Sequence, residues 1–130
     1  MNQDIGRAIV FSIPVVSAAV SLIMISLDTT RSSNTVDRKI HYNMIAVYCL
    51  MILFWSGLVM HSIARDTFIA YLPVFFSSFA FIPVFLYRIT HIITDTGERK
   101  LFPACHFILP ACLTLINCAI ALAVPLRQRW

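Results

Sequence analysis

Side chains able to do chemistry are few in this chain, and their spacing argues against a site. There are four histidines, His41, His61, His91 and His106, and four cysteines, Cys49, Cys105, Cys112 and Cys118. Axial haem ligation needs two imidazoles facing each other at one depth. His41, His91 and His106 fall at one end of the expected architecture, so a pair is geometrically open to them. All four histidines nevertheless lie at or near the ends of apolar runs, where an amphipathic ring reaches water or headgroups. At about 100° per residue, Cys105 and Cys112 share a helix face and Cys118 points elsewhere, so the thiols do not converge. No Cys/His spacing matches a zinc site, and nothing nearby would depress a thiol pKa. The six acids, Asp4, Asp28, Asp37, Asp66, Asp95 and Glu98, all fall outside the apolar runs. Proton-coupled pumps need a membrane-embedded carboxylate, because a buried charge is costly and is kept for work. We therefore expect no catalytic residue, no cofactor, no metal and no enzymatic activity.

The polar residues that remain are packing devices. Asn117, in mid-run, suits an interhelical hydrogen bond of about 0.6–2 kcal/mol. Ser17 and Ser21 are four apart and share one helix face, and Gly57 and the pair Ser77-Ser78 offer further points of close approach. Pro14, Pro73, Pro83 and Pro110 lie inside apolar runs, where each removes a backbone hydrogen bond and can kink its helix. Of these, Pro73 and Pro83 are the candidate hinges.

The elements that position these residues follow from composition. The 130 residues are 59% hydrophobic and 12% charged, against about 45–50% apolar and about 25% charged in an average soluble domain. Four uncharged stretches predict helices over about 8–27, 44–63, 67–87 and 104–124. At about 1.5 Å per residue, twenty residues span the roughly 30 Å hydrocarbon core of a bilayer. The first run is longer than the apolar core of a secretory signal, about 7–15 residues, and no small-x-small cleavage site follows it, so it reads as a retained helix. Asp66 is a plausible N-cap for the third helix, Pro103 suits the first turn of the fourth, and Pro125 helps to end it. The three-residue link at 64–66 predicts an antiparallel hairpin. The expected fold is all-α: a single transmembrane domain over residues 1–130, four helices in an antiparallel up-down bundle, with the lipid bilayer as its main partner. Tyr42, Tyr71, Tyr87, Phe102 and Trp130 fit aromatic belts at the two headgroup levels. The deeper aromatics, Trp55 and Phe75 to Phe85, fit packing between helices or against lipid.

The net charge of +4 does not point to nucleic acid, because every base lies at a run boundary or end and no recognition-helix pattern is present. The connections 28–42 and 88–102 carry Arg31, Arg38, Lys39, Arg88, Arg99 and Lys100, against Arg7, Arg65, Arg127 and Arg129 on the other side. The positive-inside rule then places both long connections in the cytoplasm and both termini outside. The four cysteines sit within apolar runs and read as small buried residues, not as a disulfide framework.

From the third helix onward, the segment PVFLYRITHIITDTGERKLFPACHFILP resembles the membrane region of bacterial membrane-anchored regulators with a C-terminal AraC-type DNA-binding domain. In that family a helix ends in Pro-x-x-x-Tyr, matched by Pro83 and Tyr87. The next helix opens with His-Phe-x-x-Pro, matched by His106, Phe107 and Pro110. The resemblance implies a sensory or anchoring role in the bacterial inner membrane, without direct DNA contact by this segment and with a ligand it does not identify. It also implies continuation past Trp130 into further helices and a basic soluble domain, since four helices return the chain to the side on which it starts. The competing expectations are a self-contained four-helix subunit or scaffold working with a partner membrane protein, and, less favoured, a small transporter.

Overall fold

In a computed structural model the chain is described over residues 2–64, 72–94 and 104–123. Asp66, Tyr71, Phe102, Pro103, Pro125 and Trp130, for which caps, belts or helix ends are expected above, lie outside the described residues, as do Arg65, Arg99, Lys100, Arg127 and Arg129. The described residues form four α-helices, α1 (Asn2–Arg31), α2 (Thr35–Ile63), α3 (Leu72–Thr94) and α4 (Ile108–Ala123), the last preceded by a 3-10 turn over Ala104–Phe107. Among the described residues there is no strand. All four helical segments are long and apolar enough to cross a membrane, over Gln3–Arg31, Thr35–Ile63, Phe75–Thr94 and Cys105–Ala123.

The first two helices extend well beyond the apolar runs that announce them. The first expected connection, 28–42, is mostly helical: α1 continues to Arg31 and α2 begins at Thr35, leaving Ser32, Ser33 and Asn34 as the link. Asn34 starts α2, its side-chain Oδ1 accepting from Val36 N at 3.0 Å while its backbone is extended at φ −80°, ψ 124°. That bond satisfies one of the free N–H groups of the first turn. Arg31 in the last turn of α1 and Asp37 in the first turn of α2 both complement the helix dipole. At about 1.5 Å per residue α1 is about 45 Å long, the thickness of a bilayer with its headgroup layers. Likewise α3 continues through Arg88 to Thr94, into the second expected connection.

The 3-10 turn before α4 has a local cause. Pro110 has no N–H to donate to the carbonyl of His106, so the α pattern cannot extend back through that position, and the tighter turn takes over.

Packing follows chain order. Among the described residues α1 packs on α2, α2 on α3, and α3 on α4 and its 3-10 turn, with no other pair of helices in extensive contact. Burial runs opposite to that of a water-soluble fold. The buried residues are mostly small or polar, Ala18 at 3% exposure, Gly57, Ser77 at 4%, Ser78 at 5%, Asn43 and Thr29, joined by Val47, Ile82 and Pro110. Large aliphatic side chains point outward on every helix, with Leu115 at 70% and Leu122 at 86% exposure. Among the described residues no large side chain is fully buried.

Candidate functional site

Among the described residues a side-chain hydrogen bond joins α3 to α4. Asn117 Nδ2 donates to Ser77 Oγ at 2.6 Å, and Ser77 Oγ donates to the carbonyl of Pro73 at 2.9 Å. A hydroxyl has a single proton, and this one is committed to Pro73, so towards Asn117 the serine oxygen acts only as acceptor. That fixes the orientation of the Asn117 amide. Ser78, next to it, donates to Phe75 O at 2.6 Å. The serine pair follows Phe75, which stands against Gly57 of α2. A Cβ built on buried Gly57 would stand 2.5 Å from Phe75 Cβ and 2.6 Å from Phe75 Cγ.

Eight further hydroxyls are satisfied within their own helices. Ser12, Ser26, Thr29, Thr30, Ser62, Thr90, Thr94 and Thr114 each donate to a carbonyl three or four residues back. This self-contained bonding lets a polar side chain sit in a helix with no partner from water. Asn43, expected just ahead of the second helix, is instead inside α2 and buried, its Nδ2 donating to Lys39 O at 2.7 Å. Asn43 thus joins Asn117 as an amide in a helix interior. Ser17 is exposed and Ser21 half-buried, and the buried small residue of that stretch of α1 is their neighbour Ala18.

An aromatic cluster centred on Phe54 ties three helices together. Its ring lies 5.4 Å from Trp55 edge-on, 5.5 Å from Phe76 and 5.0 Å from Phe79, and Trp55 continues to Phe11 of α1 at 6.1 Å. A smaller set joins α3 to the 3-10 turn, with Phe85 against Phe107 at 5.3 Å and Tyr87 edge-on to His106 at 5.3 Å. Each such pair contributes about 0.5–1.5 kcal/mol beyond its area.

The remaining candidates do not assemble. Among the described residues no three His, Cys, Asp or Glu side chains converge as metal ligands. His41 and His61 stand near opposite ends of α2, about 30 Å apart at the helical rise, and cannot share a ligand. Their Nδ1 atoms are buried without a hydrogen-bond partner. All four cysteines are free, with Cys49, Cys105 and Cys112 exposed. Of the candidate hinges, Pro83 lies inside α3 and Pro73 is its second residue. Pro14 lies inside α1, which runs on unbroken through it.

What this arrangement can do is hold helices in register: a polar clasp between α3 and α4, a glycine seam between α2 and α3, and an aromatic knot across α1, α2 and α3. No protein-family model, curated protein or solved structure matches this chain.

Proposed function

We propose that this chain is a multi-pass membrane unit without chemistry of its own, and that it serves as the sensory or anchoring region of a bacterial transcriptional regulator. The observation that carries the membrane part is the inverted burial. Leu109, Leu115 and Leu122 of α4 and Ile9, Ile13 and Ile23 of α1 point outward, while Ala18, Gly57, Ser77 and Ser78 face neighbouring helices. Lipid tails are as apolar as leucine, so helices in a bilayer associate through small residues and polar contacts, leaving large aliphatic residues to the lipid. In water the same surface would be an aggregation hazard.

An antiparallel up-down order is supported by which residues meet. Phe11 of α1 meets Trp55 of α2, and Phe54 meets Phe76 and Phe79 of α3. Along α3 and α4, Ser77 meets Asn117 while Phe85 and Tyr87 meet Phe107 and His106, so one chain ascends as the other descends. In this orientation the ends of α1 and α3 bearing Arg31 and Arg88, with Arg38 and Lys39 at the start of α2, face the cytoplasm of an inner membrane.

The regulatory role rests on the resemblance carried by Pro83, Tyr87, His106, Phe107 and Pro110. Signalling in such a unit is a shift between two helix packings, and a ligand drives it only by binding one packing more tightly than the other. Pro83 and Pro73 are the hinge positions in this scheme. The reading frame beyond codon 130 tests the proposal: it continues into further helices and a basic helix-turn-helix domain. A stop codon directly after Trp130 would leave a self-contained membrane subunit and end the regulatory reading.

A further inference from the structure

Asn117 has unused hydrogen-bonding capacity. Its amide spends one N–H on Ser77, and that is its only hydrogen bond. The second N–H and the carbonyl oxygen Oδ1 have no partner among the described residues. The side chain is half-buried at the α3–α4 seam, and its Oδ1, which has no partner among the described residues, is not among the buried atoms and so is accessible at the surface. Asn117 lies nine residues into α4 and six before Ala123, about 9 Å from that end, inside a segment apolar enough to span a membrane. A donor and an acceptor left bare in hydrocarbon are costly, and water is not there to take them.

We propose that Asn117 centres a self-association face, through which two copies of this chain pack side by side along α4. The argument for a second copy over any other occupant is self-complementarity. A primary amide with one free N–H and one free carbonyl oxygen matches another in the same state, forming two reciprocal N–H···O bonds. A two-fold axis brings each residue of an interface against its own counterpart or exchanges it with a partner. Copies inserted the same way share an axis along the bilayer normal, so both Asn117 side chains stand at one depth. The fold leaves room for this, because among the described residues α3 is the one other helix in extensive contact with α4. Leu113 and Ile120, one turn before and one turn after Asn117, are exposed and flank it on the outer side. They supply the apolar contact around the amide pair.

The inference rests on the helices lying in a bilayer, and its test separates the two claims. The full 130-residue chain, labelled with donor or acceptor dyes, is reconstituted in phosphatidylcholine vesicles. Flotation with the vesicles reads insertion, and energy transfer at increasing lipid dilution reads association. Wild type transfers energy above the random-proximity level. Asn117→Leu requires a roughly tenfold higher protein-to-lipid ratio for equal transfer, the effect of losing two interhelical amide bonds. Ile120→Ala, which leaves the bond to Ser77 in place, also weakens transfer and serves where Asn117→Leu fails to insert. Ser77→Ala keeps wild-type association, since it frees an N–H without removing the amide. Wild type that floats yet stays monomeric overturns the self-association face alone. So does an Asn117→Leu chain that associates like wild type, or a Ser77→Ala chain weakened as much as Asn117→Leu. Failure of wild type to float overturns the membrane reading and this inference with it.

Discussion

Gly57→Ala adds one methyl group at a close approach of α2 to α3 and should destabilise the fold. The added Cβ would lie 2.5 Å from Phe75 Cβ, 2.6 Å from Cγ and 2.8 Å from Cδ1. Carbon atoms pack at about 3.5–4.0 Å, so relief requires about 1 Å of separation. Phe75 cannot provide it by turning its ring, because its Cβ is fixed to the backbone of α3. The helices must part, loosening the nearby Phe54–Phe76 and Phe54–Phe79 contacts. Overpacking of this kind costs about 1–3 kcal/mol, offset in part by the 0.5–1 kcal/mol or so that alanine gains over glycine in a helix. The net expectation is a loss of about 1–2 kcal/mol, taking the two terms together. Gly6 supplies the control: it is helical, exposed and has nothing within 4 Å of its built Cβ, so Gly6→Ala should be neutral or stabilising. Reversible unfolding in mixed detergent–SDS micelles, followed by helical circular dichroism, gives both values. Equal stabilisation by the two substitutions would refute the close approach of α2 and α3.

Three further outcomes are expected. Asn34→Ala removes the cap on Val36 N at a cost of about 0.5–2 kcal/mol, and hydrogen exchange should speed up at the first turn of α2 while mid-helix amides stay protected. A double-mutant cycle of Ser77→Ala and Asn117→Leu, measured by the same micelle titration, should return a coupling of about 0.6–2 kcal/mol; additive effects would dismiss the clasp. Pro83→Ala restores an N–H for the carbonyl of Phe79, so under the proposed regulatory role a transcriptional reporter should lose its response to the signal. Unchanged output from both Pro83→Ala and Pro73→Ala would end the hinge idea.

The existence of four apolar helices was legible because an uncharged run of about twenty residues has few other physical solutions. Their true extent was not. An apolar run marks what hydrocarbon can hold, whereas a helix continues through the headgroup layer as long as its caps and dipole are served. Asn34, Asp37 and Arg31 do that here, and the expected connection 28–42 shrinks to three residues. That misjudgement also hid Asn43, which becomes a buried helical amide once α2 starts at Thr35. Gly57 and Ser77-Ser78 could be picked out as close-approach points by size alone, but their partners could not. Periodicity sorts residues onto faces of one helix without saying which face meets a neighbour. For the same reason Ser17 and Ser21 drew notice while the adjacent Ala18 is the buried residue. The chain-ordered packing of the helices and the bond from Asn117 to Ser77 depend on tertiary arrangement, and no local pattern encodes either.

The account stands on acyl chains, and not water, surrounding the outward leucines and isoleucines of all four helices. Stepwise removal of detergent from the purified chain, watched by size-exclusion chromatography with light scattering, probes that directly. The expected result is loss of the monodisperse species and precipitation once detergent falls below its micelle concentration, with recovery on transfer into lipid nanodiscs. A chain that stays monodisperse and helical in plain buffer would contradict the account.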